Sequence, residues 1–166
     1  MRKIMLTLDK VALVDDADYA MVSQFKWSTL KTRGGRWYAV RCLWLENKQR
    51  YIYMHRFILG TPPGMDTDHE DGNGLNNQRY NLRAATKSQN HANAKIGSFD
   101  GKSSRYKGVS WHKRAHRWRA QVYCKYSTIY LGLFDSEESA ALAYNKRAMQ
   151  VFGDFARLNV IEWNIL

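Results

Sequence analysis

The stretch Gly97 to Ser104, GSFDGKSS, constrains the fold most. Five of its eight residues are Gly or Ser, so it carries little to bury and reads as a flexible linker. It divides a chain of 166 residues into two short units, each of which must close a small core of its own. The expected layout is a first unit over 1–96, a linker over 97–104 and a second unit over 105–160. The chain's two prolines stand together in Thr61-Pro62-Pro63-Gly64 and mark a turn inside the first unit.

The first unit opens with strand-like segments, Ile4 to Leu8 and Lys10 to Val14, around a turn at Asp9-Lys10. A short helix is expected over Asp18 to Phe25. Arg36 to Leu45 and Arg50 to Met54 are rich in aromatic and β-branched residues and form a second expected hairpin across Glu46 to Gln49. Trp27, Trp37 and Trp44 read as core or edge packing. The second unit predicts strands over Tyr106 to Trp111, Trp118 to Tyr123 and Ser127 to Phe134, with turns at Lys113 to His116 and Cys124 to Tyr126. A helix over Ser136 to Phe152 follows, with Asp135 and Glu138 as a capping box and Gly153 as its stop. Ala140, Ala141, Tyr144, Ala148 and Phe152 share one face of it.

The net charge of +11 points to a polyanion. Its distribution is sharper: residues 101–125 hold eight Lys or Arg and no Asp or Glu, interleaved with Tyr106, Trp111, Trp118 and Tyr123. Alternation puts Arg117, Arg119, Gln121 and Tyr123 on one strand face and Trp118, Ala120 and Val122 on the other. The first set can reach DNA, and the second reads as core. No apolar run approaches a membrane span, and the opening MRKIMLTLDK lacks the apolar stretch of a signal peptide. The expectation is an intracellular protein with no membrane partner, and a monomer. Cys42 and Cys124 lie too far apart for a zinc knuckle and read as free thiols.

The chemistry concentrates between Asp68 and Asn90. Phosphodiester hydrolysis needs a base to activate water, a Lewis acid to neutralise growing charge and a scaffold to align them. His69 suits the first task, and the carboxylate of Asp68 is the hard donor that magnesium or manganese prefers. Thr86 caps an expected helix over Lys87 to Ala94 whose first turns carry Asn90, a possible amide ligand. Asn81 can tie loop backbone groups together and orient the histidine. A calcium loop starting at Asp66 fails, because Asp71 stands where Gly is needed and Asn77 where Glu is needed. His55 either assists the site, meets phosphate or makes a structural hydrogen bond. His91 reads as a surface helix residue or a phosphate contact.

Four ordered pieces, MHRFILG at 54–60, the Asp68-His69 pair, NNQRYNL at 76–82 and TKSQN ending at Asn90, resemble the HNH endonucleases. The likeness is to the phage homing branch, in which Asn replaces the last His. It implies a ββα-metal unit with preceding antiparallel strands. It also implies His69 as general base, Asp68 and Asn90 as ligands of one magnesium or manganese ion, and Asn81 as the structural asparagine.

RYKGVSW at 105–111, WRAQV at 118–122, YLGLFDSEESAALAYNKRA at 130–148 and FGDFARLN at 152–159 resemble the plant APETALA-two/ethylene-response-factor DNA-binding domain. This resemblance implies a three-stranded antiparallel sheet packed on one helix. It implies DNA contacts at Arg105, Lys107, Trp111, Arg117, Arg119 and Tyr130. Ser110-Trp111 stands where many plant members carry Arg, and Tyr130 where they often carry Trp. The fold class expected for the whole is α+β. The expected activity is metal-dependent cleavage of double-stranded DNA by a homing-type endonuclease, in a bacterial cytoplasm if phage-encoded. A non-catalytic DNA-binding regulator and an RNA binder are the alternatives.

Overall fold

The computed structural model describes residues 1–95, 101 and 103–161. Of the expected linker, residues 97–100 and 102 lie outside the described residues. Backbone contacts divide the chain into two units, Met1–Lys87 and Ser88–Leu166. Among the described residues the fold mixes α and β, and every pair of strands is antiparallel.

In the first unit β1 (Arg2–Met5) pairs with β2 (Val11–Val14), and Leu8 and Asp9 turn the chain at positive φ. Helix α1 (Asp16–Val22) follows, two residues earlier than expected. A three-stranded sheet joins β3 (Ser28–Lys31), β4 (Trp37–Leu45) and β5 (Lys48–Tyr53), with β4 in the middle. Glu46 and Asn47 both adopt positive φ, as a tight two-residue hairpin turn requires. Helix α2 (Met54–Leu59) starts directly after β5 and stops at Gly60, whose φ is 64°. The second hairpin is as expected, whereas β3 and α2 carry no clear signal of their own. Both are short, and packing rather than propensity decides them. Met54 and Ile58, one turn apart on α2, enter a core with Ile4, Ala12, Val14, Val22, Trp27, Ala39 and Leu82. Each large aliphatic side chain there contributes about 1.5–3 kcal/mol. Trp27 is core, but Trp44 is 72% exposed, because β4 and β5 run past the body they spring from.

Two further strands, β6 (Asp66–His69) and β7 (Leu82–Ala85), form the hairpin that presents Asp68 and His69. The loop between them is held by β2: Leu13 N donates to Leu75 O, and Asn77 N donates to Leu13 O. Gly74 in this loop has no alternative, since a Cβ there would lie 2.3 Å from the carbonyl oxygen of Trp37 and 2.6 Å from the Tyr38 ring. The guanidinium of Arg79 grips the buried carboxylate of Asp18 with bonds of 2.7–3.1 Å and so fixes the loop to α1.

The second unit contains α3 (Lys87–Asn93) after its first residue, then β8 (Val109–His112), β9 (Arg117–Cys124) and β10 (Ser127–Phe134), with β9 central. Helix α4 (Glu137–Phe152) lies on the sheet. The five residues expected on its inner face are all buried. Gly108, at φ 74°, is required, because a Cβ would fall 2.0 Å from the Tyr144 ring. The expected cap is corrected: Ser136 Oγ, not Asp135, accepts from Ser139 N at 3.1 Å. Asp135 is drawn away by Arg117, 2.8 Å distant. No helix among the described residues is long and apolar enough to cross a membrane.

Candidate functional site

Strand β6 ends at the site. Cross-strand pairing sets Asp68 opposite Arg83 and His69 opposite Leu82. Arg83 Nε donates to Asp68 Oδ2 at 2.8 Å, and both side chains are largely buried. A carboxylate taken out of water needs such a partner to offset its lost hydration. His69 faces a different set of groups, as alternation along a strand requires. Its Nε2 lies 3.4 Å from Asn77 Oδ1, and its ring neighbours Tyr38 and His55. Asn77 Nδ2 donates to Leu75 O, which turns Oδ1 toward the imidazole. An amide oxygen only accepts, so Nε2 carries the proton of the neutral ring and the lone pair sits on Nδ1.

Burial lowers the His69 pKa below its ordinary value, outweighing the hydrogen bond to Asn77 and the carboxylates of Asp71 and Asp68. A neutral imidazole is the form that can take a proton. His55 is buried beside it, packed among Tyr38, Tyr53 and His69, and its Nδ1 has no hydrogen-bond partner among the described residues. Burial, then the charges of His69 and Arg56, push its pKa to about 3.

Asn81 lies at the end of the loop and is 2% exposed. Its Oδ1 accepts from Asp71 N at 3.0 Å, while Nδ2 donates to Asp71 Oδ1 at 3.0 Å and Asn76 O at 2.8 Å. Burial alone would raise the Asp71 carboxyl. The hydrogen bonds from Asn73, Asn76 and Asn81 outweigh it and hold the group below its usual value. Asn81 thus ties the loop together. Asp71, Asn76, Asn77 and Arg83 are neighbours of the site that the sequence alone does not single out.

Asn90 falls on α3 and belongs to the second unit. Among the described residues no three His, Cys, Asp or Glu side chains form a metal site by themselves. An ion here would therefore have Asp68 as its carboxylate, with oxygens such as those of water and phosphate completing its shell. That donor set fits magnesium, which is commonly held by one or two carboxylates and substrate phosphates.

On the second unit, Arg119 pairs with Ser110, Arg117 with His112 and Tyr130 with Gln121, so these side chains share the sheet face turned away from Ala120 and Val122. Arg119 donates to Ser110 Oγ. Arg105 is exposed, and its guanidinium lies over the Tyr106 ring. Two residues of the expected DNA-contacting set sit elsewhere. Trp111 pairs with Trp118, rings 5.0 Å apart, and so lies on the opposite face from Arg119. Lys107 turns its ammonium to the carbonyls of His91, Ala92 and Ala94 at the end of α3.

Comparison with known proteins covers both units. Residues 104–153 match the AP2 domain family. The chain is 32% identical over 152 residues to an uncharacterised HNH endonuclease of Acanthamoeba polyphaga mimivirus, spanning 92% of this chain and 76% of that protein. It is 35% identical over 96 residues to Protein 3.8 of Escherichia phage T7, spanning 58% of this chain and 77% of that protein. An AP2-like ethylene-responsive transcription factor of Arabidopsis thaliana is 37% identical over 60 residues, which is 36% of this chain and 12% of the plant protein.

Proposed function

Because the chain belongs to the HNH endonuclease family and carries an AP2 domain, we propose that it is a metal-dependent endonuclease that hydrolyses phosphodiester bonds in duplex DNA. The observation that carries this reading is the pairing, on one strand, of a buried imidazole at His69, turned to Asn77, with a buried carboxylate at Asp68, held by Arg83. His69 Nδ1 takes the proton of the attacking water. The resulting imidazolium is stabilised by the nearby carboxylates of Asp71 and Asp68. Asn77 holds the ring in the productive tautomer. Asn81 keeps the loop that carries Asn77 closed.

Asp68 and Asn90 are the residues that would hold a divalent ion, magnesium or manganese. Such an ion supplies charge neutralisation on the phosphate and the leaving oxygen. The basic sheet face of Arg117, Arg119 and Tyr130 holds the duplex and selects where cutting occurs, with Arg105 as a further contact. The setting we favour is a homing-type enzyme of a phage or other mobile element, supported by the likeness to a phage T7 protein.

The direct test is incubation of purified protein with supercoiled duplex DNA in magnesium or manganese, beside His69→Ala and Asp68→Ala controls, followed by mapping of the ends. The expected result is relaxed or linear DNA bearing defined ends, formed only with metal and only by the unaltered protein. Intact DNA throughout, with binding preserved, would leave the non-catalytic regulator as the correct reading.

A further inference from the structure

Helix α3 has seven residues, too few to be stable in isolation. Something must hold it, and contacts within the second unit contribute to that hold. Its Ala92 is 4% exposed and lies in the core cluster of Val122, Tyr144, Ala148 and Phe152. Ser88 Oγ, near its start, accepts from Lys125 N at 3.3 Å. Arg157 N donates to Ala92 O at 3.3 Å.

Lys107 closes the arrangement. Its ammonium donates to three carbonyls, those of His91, Ala92 and Ala94, where a helix end leaves acceptors unpaired and carries partial negative charge. The backbone of Lys107 is itself fixed. Its N donates to Asn159 Oδ1 at 2.6 Å, and its O accepts from Asn159 Nδ2 at 3.1 Å. The backbone of Asn159 is clamped in turn by the side chain of Asn145 on α4, through bonds of 2.7 and 2.9 Å. A continuous hydrogen-bonded path therefore runs from α4 through Asn159 and Lys107 to the end of the helix that carries Asn90.

We infer that Lys107 is a positioning residue for Asn90. This inference rests on the reading of Asn90 as a metal ligand. It gives Lys107 a task different from contacting phosphate.

The test compares full-length wild type, Lys107→Met, Lys107→Gln, Lys107→Arg and Asn90→Ala on supercoiled plasmid with manganese as the metal. Four quantities are read: plasmid affinity, cleavage rate at saturating plasmid, the manganese concentration giving half-maximal rate, and hydrogen exchange of amides in 87–94 against those of β9. Protection of β9 reports that the second unit is folded. Lys107→Met and Lys107→Gln should lower the saturated rate ~10–100-fold, the usual effect of removing a group that orients a metal ligand. They should raise the manganese requirement and lose protection in 87–94 while β9 stays protected. Lys107→Arg should recover most of each loss.

Wild-type rate and manganese requirement in Lys107→Met and Lys107→Gln, beside a defective Asn90→Ala, would overturn the role of Lys107. A loss confined to plasmid affinity would overturn it too and make Lys107 a phosphate contact. An Asn90→Ala protein with unchanged manganese requirement would instead overturn the reading of Asn90 as a ligand.

Discussion

The rings of His55 and His69 meet edge to face, with centroids 4.9 Å apart and planes at 86°. Two imidazoles this close cannot both carry charge without repulsion. Burial already holds both below their ordinary pKa. Among the described residues His55 Nδ1 has no hydrogen-bond partner. With Tyr38 and Tyr53 the ring walls one side of His69.

The neutral state of His55 makes the first unit acid-sensitive. Its folded pKa of about 3 lies below the ordinary 6.5. The unfolded chain therefore binds the proton first as pH falls. The contribution is fully present above about pH 6.5 and is lost progressively between there and about pH 3, at a limiting slope of ~1.4 kcal/mol per pH unit. Urea titrations over this window should show the slope, and His55→Phe should make it shallower. Equal slopes in the two proteins would mean that other groups set the acid response.

His69→Ala should reduce cleavage ~10²–10⁴-fold, the range that general-base catalysis contributes, while plasmid affinity stays close to wild type. Because burial lowers the histidine pKa, the decline of the wild-type rate as pH falls should be centred below the ordinary imidazole value. A cleanly purified His69→Ala protein that cuts at full rate would assign the base elsewhere.

Removal of metal ligands should be graded. Asp68→Ala takes away an anionic oxygen and leaves Arg83 beside an empty space, so it should raise the metal requirement most. Asn90→Ala should raise it less, since water can replace a neutral amide oxygen. Excess chelator should stop cleavage, and added magnesium or manganese should restore it. Persistent cutting in chelator would refute metal dependence.

Asn81→Ala should destabilise the first unit. It removes partners from Asp71 N, Asp71 Oδ1 and Asn76 O together, and a buried group left unpaired costs about 1–3 kcal/mol. The denaturation midpoint should fall, and cleavage should fall with it as Asn77 loses its hold on His69. A variant of unchanged stability would show that the loop closes without this asparagine.

How much of this was legible depends on distance along the chain. Asp68 and His69 are neighbours, and the meaning of an acid beside a histidine ahead of an Asn-rich loop can be read locally. Alternation likewise separates Arg117 and Arg119 from Trp118 and Ala120. What could not be read depends on pairing across the chain. Trp111 and Arg119 look alike as members of a basic, aromatic sheet, and only the pairing of Trp111 with Trp118 places it on the other face. Lys107 looks like a phosphate contact until the carbonyls of α3 are found around its ammonium. Asn77 is one asparagine among many until its amide is seen turned to His69 by Leu75 O. Asp135 and Ser136 are equally good caps by sequence, and Arg117 from β9 claims the aspartate.

The same register separates binding from chemistry on the second unit. Arg117 and Arg119 lie two apart on β9 and share a face, while Lys107 and the α3 carbonyls form a separate group of contacts. Replacing both arginines with Ala should therefore weaken duplex binding without disturbing the support of Asn90. Each lost phosphate contact should lower the slope of log affinity against log salt by ~0.9. If either arginine makes a bidentate contact to a base, discrimination between sites should also drop by about 1–3 kcal/mol. Arg117 has a local partner in Asp135, so its loss also frees an exposed acid beside the duplex and adds repulsion. Titrations of wild type and the double variant at several salt concentrations give the slopes, and single-turnover cleavage at saturating DNA gives the rate. Unchanged affinity and slope would remove this face from the binding surface. A saturated rate that falls together with affinity would show that the arginines also align the scissile phosphate, because their removal leaves His69, Asp68 and the Lys107 contacts to α3 in place.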